Sequence, residues 1–334
     1  MQTLIGAALL TALVSACGGP DEVNESVAAP EAIPMAATTD PSEVVIGLAT
    51  QNLERSFFLG MVAGAERRAD ELGVELIVSD GLDDVAVQQA GVNELIEMDV
   101  DVLVLSPIDS VQAESMVQRA ATAGVPVVAV ANQVGSAEQY GPQFLHPQTV
   151  SLVTNDDVDM GRKAGLFVAA EVGAADVDIA VLAGKAGTAN AVLRLEGFVS
   201  ELDALGVNHE IVANVAGDWN ADGGAAACES FASLESVEMI FSMSDAMTIG
   251  CVSALDAAGM DVPIVSIGGN ADGIELLEAG RIVGSVCQKP ATMGALAVDS
   301  ALAAVVDGDL NQGLRFYDTP VVTVDSLDQC VPQW

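Results

Sequence analysis

The chain has 334 residues, of which 51% are hydrophobic, and 48 acidic residues against 11 basic ones give it a formal net charge of −37. This length is enough for two packed domains of ordinary size. A surface this negative repels phosphate backbones, so nucleic acid is excluded as an expected partner, and no apolar stretch after the first residues is long enough to predict a membrane-spanning helix.

The N-terminus has the pattern of an export signal. A short apolar core, Leu4–Leu10, is followed by Val14-Ser15-Ala16-Cys17, and such a core ending in small residues is typical of a cleavable signal. The Val-Ser-Ala-Cys end resembles a bacterial lipobox, in which the cysteine is lipidated, although no Lys or Arg precedes the core. We therefore expect residues 1–17 to be a lipoprotein signal segment that places the protein in the periplasm or cell envelope, anchored through Cys17.

Residues 18–42 are predicted to be a disordered tether. They contain four prolines among Ala, Glu, Asp and Thr and show no apolar periodicity. A tether of this kind keeps a folded domain near a membrane, and the lipid is the only membrane contact that we expect.

From Val44 onward, strand-like and helix-like segments alternate about every 25–30 residues, the signature of parallel βαβ units. The predicted strands of the first series are Val44–Ala49, Val74–Val78, Val102–Leu105 and Val127–Val130. Helices between them end near Gly73, run through Leu95-Ile96, and end at Gly124. These strands are almost continuously apolar, as expected when helices cover both faces of a sheet.

A Gly/Pro/Gln-rich loop, 132–147, interrupts the pattern, and a second series follows. Its predicted strands are Ile179–Leu182, Ile211–Val215, Met239–Phe241, Ile264–Ile267 and Ile282–Val286. Its predicted helices are Ala189–Leu205, Asp222–Phe231, Met247–Ala257, Ala271–Ala279 and Ala291–Val306. Two successive open α/β sheets are predicted, and because open sheets bind ligands beyond the carboxyl ends of their strands, two such ends facing each other make a cleft.

The chemistry of a metal site or of an enzyme is not apparent in the sequence. Cys228, Cys251, Cys287 and Cys330 include no C-x-x-C pair, so they predict either one or two disulfides of unknown pairing or buried free thiols, rather than zinc. Segment 218–229 matches the calcium-loop spacing, but a predicted strand precedes it and a helix begins inside it. Neither histidine has an evident orienting partner, so no cofactor, metal or catalytic activity is predicted.

Several motifs together resemble the ribose-binding-like family of periplasmic solute-binding proteins, the type 1 periplasmic binding proteins. The motifs are Ser56-Phe57-Phe58, Ser106-Pro107-Ile108-Asp109, Gly184 to Thr188 with Arg194-Leu195-Glu196-Gly197-Phe198, Asp218-Trp219-Asn220, Ser244 to Gly250, and Cys287 to Pro290. The resemblance covers most of 44–288. It implies a two-lobed α/β fold in which two open parallel, Rossmann-like sheets are joined by three crossovers, near Val153–Asn155, Gln288–Pro290 and Arg315–Asp318.

The implied lobes are 43–153 plus 289–316, with the helix after Pro290 completing the first lobe, and 154–288 plus 317–334. The resemblance implies a monomer that captures a small polar solute (sugar, polyol, cyclitol or sugar acid) between the lobes and delivers it to the membrane permease of an ABC importer. A sensory receptor that docks to a membrane kinase or chemoreceptor is the alternative, and an exported enzyme is a weaker third.

The resemblance also identifies candidate ligand-binding residues, which are Arg55, Phe57, Phe58, Ser106, Asn132, Arg194, Trp219, Ser244, Asn270 and Gln288. Aromatic faces suit the C–H surface of a sugar, and planar side chains bond adjacent hydroxyls in pairs. Other roles are open: Trp219 as a structural cap, Phe58 in the core, and Gln288 in a turn. Arg194 could form a surface ion pair with Glu196 or Glu201.

Four positions depart from the sugar-binding pattern of this family. Ala131-Asn132 stands where an Asp-Arg pair is usual, Gly268-Gly269-Asn270 lacks the usual Asp, and Ser244 and Arg55 each replace an Asn. Two acidic acceptors are lost and one cation is gained. We therefore hypothesise that the ligand is not ribose but a solute with fewer hydroxyls or with a carboxylate, bound by Arg55 and Arg194.

Overall fold

The computed structural model describes residues 40–173, 175–186, 188–234 and 236–334. The predicted signal segment, Cys17 and residues 18–39 of the predicted tether lie outside the described residues. The described part opens with a 3₁₀ helix, Pro41–Glu43, which Asp40 caps by accepting a hydrogen bond from the Ser42 backbone N–H. The last residues of the predicted tether are therefore ordered. No helix among the described residues is long and apolar enough to cross a membrane.

The first lobe is built on a six-stranded sheet in the order β11-β5-β4-β3-β1-β2, in which every neighbouring pair is parallel. Its elements are β1 (Val45–Thr50), α1 (Ser56–Leu72), β2 (Glu75–Asp80), α2 (Val85–Glu97), β3 (Val102–Leu105), α3 (Ala113–Ala123), β4 (Val127–Val130), α4 (Ala137–Tyr140), β5 (Ser151–Val153), α10 (Pro290–Val306) and β11 (Gly313–Arg315). Helix α10 packs along α1 and the central strands, so the helix after Pro290 completes this lobe.

The second lobe is built on a sheet in the order β12-β10-β9-β8-β6-β7, in which only the β10–β12 pair is antiparallel. Its elements are α5 (Asp157–Val172), β6 (Val177–Ala183), α6 (Ala189–Ala204), β7 (His209–Ala216), α7 (Ala221–Phe231), β8 (Met239–Ser242), α8 (Asp245–Ala258), β9 (Ile264–Gly268), α9 (Ala271–Glu278), β10 (Gly284–Cys287), β12 (Val321–Val322) and a 3₁₀ helix, Val324–Gln329.

Local sequence explains where these elements begin and end. Strands β3, β4, β8 and β10 are buried along their whole length, because helices pack on both faces of each sheet. Helices α1 and α3 end at Gly73 and Gly124, which adopt the left-handed conformation that glycine reaches without strain. In the core of the second lobe, the rings of Phe198 and Phe241 stack with their centroids 4.1 Å apart.

The chain passes between the two sheets three times, after β5, after β10 and between β11 and β12. Hydrogen bonds join the three crossovers. The Tyr317 hydroxyl donates to Asn155 Oδ1 and accepts from the Lys289 backbone N–H at 3.3 Å. Burial raises the pKa of the Tyr317 phenol, so it remains a donor at neutral pH. The prediction of two open α/β sheets joined by three crossovers is confirmed.

The structure adds elements that the sequence analysis missed. Strands β5, β11 and β12 have three, three and two residues, too few to show a period, and α4 lies inside the predicted irregular loop. The cysteines form two disulfides, Cys228–Cys251 and Cys287–Cys330, so the free-thiol alternative is wrong. Residues 333–334, which we placed with the second lobe, also contact α1 and α10 of the first.

Candidate functional site

The carboxyl ends of β1 and β4 carry amide side chains that meet at one backbone carbonyl at the end of β3. Pro107 O accepts hydrogen bonds from Gln51 Nε2 at 2.8 Å and from Asn132 Nδ2 at 3.1 Å. Gln51 Nε2 also lies 3.5 Å from the hydroxyl of Ser106, which is fully buried. The structure therefore brings together the predicted residues Ser106 and Asn132, and adds Gln51, which the sequence analysis did not single out.

Arg55 precedes the first turn of α1 and is already paired. Its Nη2 lies 2.9 Å from Asp83 Oδ2, and its side chain is 54% exposed. Asp83 also accepts from Asn52 Nδ2 at 2.9 Å, so this carboxylate is held by two donors. An exposed ion pair of this kind contributes little to stability. It does neutralise the charge of Arg55, which stands where the family usually has Asn.

Phe57 and Phe58 are both half-buried at the start of α1 and pack against the core of the first lobe. Their rings are arranged edge to face with centroids 5.4 Å apart, and the Phe57 ring meets the Trp334 ring in the same way at 5.8 Å. Both phenylalanines therefore have a structural role, and the partner of Phe57 is a tryptophan from the far end of the sequence.

The polar groups at the carboxyl ends of the second lobe's strands form a polar edge, and Arg194 lies at its centre. It is 4% exposed, its Nε donates to Asp157 Oδ1 at 2.8 Å, and its Nη1 donates to Met243 O at 2.6 Å. The predicted alternative of a surface pair with Glu196 or Glu201 is wrong, because Glu201 binds Arg162 instead. These two bonds use two of the five guanidinium N–H donors.

The electrostatics of this ion pair follow from its burial. Burial raises the pKa of the Asp157 carboxyl, and the Arg194 guanidinium opposes that rise by favouring the charged form. Because a buried guanidinium without a partner charge is costly, Asp157 both positions Arg194 and compensates its charge. Asp157 lies just after the first crossover and was not among the predicted site residues.

Trp219 lies across the second lobe's strand ends with its ring facing Arg194. The Arg194 Cζ atom is 5.4 Å from the ring centroid, within the range of a cation–π contact. The ring also covers Gly184, where an added Cβ would lie 1.9 Å from Trp219 Cζ2. Both Asp218 and Trp219 adopt positive φ, so a tight turn presents the ring. The half-buried ring thus caps Gly184 and lies against Arg194.

The ends of β8 and β9 are joined by the buried carboxylate of Asp245. It accepts hydrogen bonds from Ser266 Oγ at 2.5 Å and from the backbone N–H groups of Gly269 and Asn270 at 2.5 and 3.3 Å. Burial raises the pKa of Asp245, and these three donors oppose the rise. Asp245 therefore fixes the turn that carries Asn270, next to Ser244 in the chain.

Asn270 and Gln288 have partly structural roles. Asn270 Oδ1 caps α9 by accepting from the Gly273 N–H at 2.6 Å, which leaves the Nδ2 donors for other contacts. The Gln288 backbone N–H donates to Gly268 O at 2.6 Å, which holds the second crossover against the end of β9. These contacts make one continuous edge. Arg194 bonds the carbonyl of Met243, next to Ser244, and Gln288 bonds that of Gly268, two residues before Asn270.

The described residues contain no group of three or more His, Cys, Asp or Glu side chains positioned to hold a metal ion. A cavity of about 300 Å³ lies at the amino ends of the second lobe's strands, lined by residues such as Val177, Met239 and Val283. Open α/β sheets bind ligands at the opposite, carboxyl ends. The candidate site is therefore the polar edge described above.

The sequence matches the family described as "periplasmic binding protein domain" over residues 46–309, well over half of the chain. It is 31% identical over 257 residues to the ribose import binding protein of Haemophilus influenzae, covering 77% of this chain and 84% of that protein.

Two solved structures share the fold. An ABC transporter periplasmic solute binding protein from Actinobacillus succinogenes with bound D-allose has a TM-score of 0.76 and 23% identity, covering 86% of this chain and 100% of that one. An ABC transporter solute binding protein from Bacillus halodurans with bound myo-inositol has a TM-score of 0.75 and 22% identity, covering 87% and 98%. The predicted resemblance is thus confirmed: the chain belongs to the family of periplasmic binding proteins and is a ribose-binding-like, two-lobed solute-binding member of it.

Proposed function

We propose that the chain binds a neutral polyhydroxylated solute, such as a sugar, polyol or cyclitol, between the strand ends of its two lobes. The observation that carries this proposal is the arrangement of Arg194, a buried guanidinium held by Asp157 and placed against the Trp219 ring. An aromatic face beside directed N–H donors suits a molecule with C–H faces and hydroxyl edges. Gln51, Ser106 and Asn132 supply amide and hydroxyl groups from the other lobe.

The charge balance supports a neutral solute rather than an acid. Arg55 is paired with Asp83 and Arg194 with Asp157, so each guanidinium already has a carboxylate partner. A ligand carboxylate would add an uncompensated negative charge to this edge. We therefore replace our sequence-based hypothesis of a carboxylate bound by Arg55 and Arg194 with that of an uncharged ligand.

We further propose that the protein delivers its solute to the membrane permease of an ABC importer. Support comes from its relatives, which include a ribose import binding protein and solute binding proteins of ABC transporters. Export, lipidation at Cys17 and a monomeric state are parts of this proposal, and Cys17 lies outside the described residues. We propose a binding role without catalysis, and a sensory receptor is the alternative if no importer partner binds.

A thermal-unfolding panel tests the ligand class. The panel holds D-ribose, D-allose, xylitol, myo-inositol and, as the acidic comparison, D-galacturonate. A solute at about 100 times its dissociation constant adds about 2.7 kcal/mol to the free energy of unfolding, which raises the midpoint visibly. We expect a neutral member to raise the midpoint and D-galacturonate to leave it unchanged. A shift with D-galacturonate alone would contradict the neutral-ligand proposal.

A further inference from the structure

Segment 330–334 connects the two lobes in addition to the three crossovers. At its start, Cys330 is bonded to Cys287 at the end of β10 in the second lobe. This disulfide packs against Gly269, where an added Cβ would lie 2.5 Å from Cys330 Sγ and 2.9 Å from Cys287 Sγ. The segment is therefore anchored covalently beside Asn270, one of the candidate ligand-binding residues.

The other end of the segment lies on the first lobe. An added Cβ at Gly60 of α1 would lie 2.6 Å from Gln333 O and 2.9 Å from Trp334 Cβ, so the backbone sits directly on the helix there. The Gln333 side chain accepts from the Thr292 N–H at 3.1 Å and donates to Thr292 Oγ1 at 3.3 Å, which ties it to α10.

Trp334 itself touches both lobes. Its ring packs edge to face on Phe57 of the first lobe, and its backbone carbonyl accepts a hydrogen bond from the Ala271 N–H of the second lobe at 3.2 Å. Phe57 and Asn270, the neighbour of Ala271, are both candidate ligand-binding residues. One tryptophan therefore links the candidate edges of the two lobes.

We infer that segment 330–334 is an interlobe strap, and that Trp334 is a positioning residue that sets the angle between the lobes and thereby the affinity for solute. The lobes of such a fold move by rotation at their crossovers. Four residues after Cys330 span at most about 14 Å, so Trp334 cannot follow the first lobe far while the disulfide holds. The contacts with Phe57, Gly60 and Thr292 must break when the lobes separate, and they therefore stabilise the lobe arrangement seen here.

The first test uses protein without solute and does not depend on the proposed function. Small-angle X-ray scattering should show a larger radius of gyration for Trp334→Ala than for wild type, and a near-wild-type value for Trp334→Phe, which keeps an aromatic ring. Gly60→Ala should act like Trp334→Ala, because its added methyl displaces the strap from α1. Equal radii for all four proteins would overturn the strap.

The second test concerns the Cys287–Cys330 disulfide, which anchors the strap to the second lobe. The sequence contains only two tryptophans, so in Trp219→Phe protein the tryptophan fluorescence comes from Trp334 alone. Replacing both Cys287 and Cys330 with Ser should raise acrylamide quenching of Trp334. The matched control, Cys228→Ser with Cys251→Ser, removes a disulfide between α7 and α8 and should leave the quenching unchanged. Equal quenching in the two disulfide variants would overturn the anchor's role.

The effect on affinity rests on the proposed function. With xylitol and D-allose as probes, Trp334→Ala should weaken binding about fivefold and Trp334→Phe much less, since an edge-to-face aromatic pair is lost only in the first. Unchanged affinity in Trp334→Ala would overturn the positioning role. If the panel yields no ligand, the proposed function fails while the scattering and quenching tests still decide the strap.

Discussion

The buried pair of Asp157 and Arg194 can be tested by a substitution that keeps the size of the side chain and removes its charge. In Asp157→Asn, Arg194 retains its bond to Met243 O but loses the only carboxylate that contacts it among the described residues. Breaking a buried ion pair on one side costs about 4 kcal/mol, because the remaining charge is left without compensation. For a chain of this size, that loss lowers the thermal midpoint by roughly 6 °C.

The chain offers a control pair with the same contact geometry, in which Arg68 also has a second carboxylate, Glu71, at 3.0 Å. Asp299 Oδ1 lies 2.8 Å from Arg68 Nε, the same atoms and distance as in the buried pair. The side chains of the control pair are 34% and 33% exposed, however, against 4% and 7% for Arg194 and Asp157. An exposed pair contributes about 0–1 kcal/mol, so Asp299→Asn should shift the midpoint by only a degree or two.

Differential scanning calorimetry of the wild type and the two variants at pH 7 measures both effects. The expected result is a large decrease for Asp157→Asn and a small one for Asp299→Asn. Equal decreases would refute the argument that burial makes this pair essential. Because Asp157 positions the guanidinium, Asp157→Asn should also weaken solute binding, whereas Asp299→Asn should leave it unchanged.

Three further predictions concern stability. Burial lowers the pKa of His146 below its ordinary value of 6.5, so the unfolded chain takes up a proton first as pH falls below 6.5. Between pH 7 and pH 5, the wild type should therefore lose more stability than His146→Gln, as measured by urea titration. Replacing both Cys228 and Cys251 with Ala opens a loop closed over 23 residues and should cost about 3 kcal/mol, measured by urea unfolding; no loss would contradict a disulfide there. With a net charge of −37, the thermal midpoint should rise between 0.05 and 1 M NaCl, because the Debye length falls over this range from above 10 Å to about 3 Å. A flat response would refute self-repulsion as a destabilising factor.

Much of the fold could be predicted because its main signals are local. Strands β3 and β4 have the predicted bounds, since short continuous apolar runs preceded by Asp or Pro admit few other interpretations. Helix ends at Gly73 and Gly124 follow from the left-handed conformation of one residue. The strands that were missed, β5, β11 and β12, have two or three residues and are held by neighbouring strands rather than by their own pattern.

The candidate site was only partly predictable, because its determinants are tertiary. Arg194 stands out as a rare cation in the sequence, but its partner Asp157 is 37 residues away and belongs to another helix. Because that partner is a carboxylate, Arg194 is half of a neutral ion pair rather than a free cation that would bind an acidic ligand. Trp334 was overlooked for the same reason: its contacts with Phe57 and Ala271 exist only once both lobes have folded. Its rarity in the sequence was the one available signal.

The central claim is that one solute binds at the polar edge formed around Arg194 and Trp219. Isothermal titration calorimetry of the wild type, Trp219→Phe and Trp219→Ala, with the solute that gives the largest thermal shift, tests it most directly. We predict one site per chain in the wild type, a modest loss in Trp219→Phe, and a loss of at least about tenfold in Trp219→Ala, because an aromatic face and its cation–π contact are removed. Wild-type affinity in Trp219→Ala would place the solute elsewhere and contradict the account.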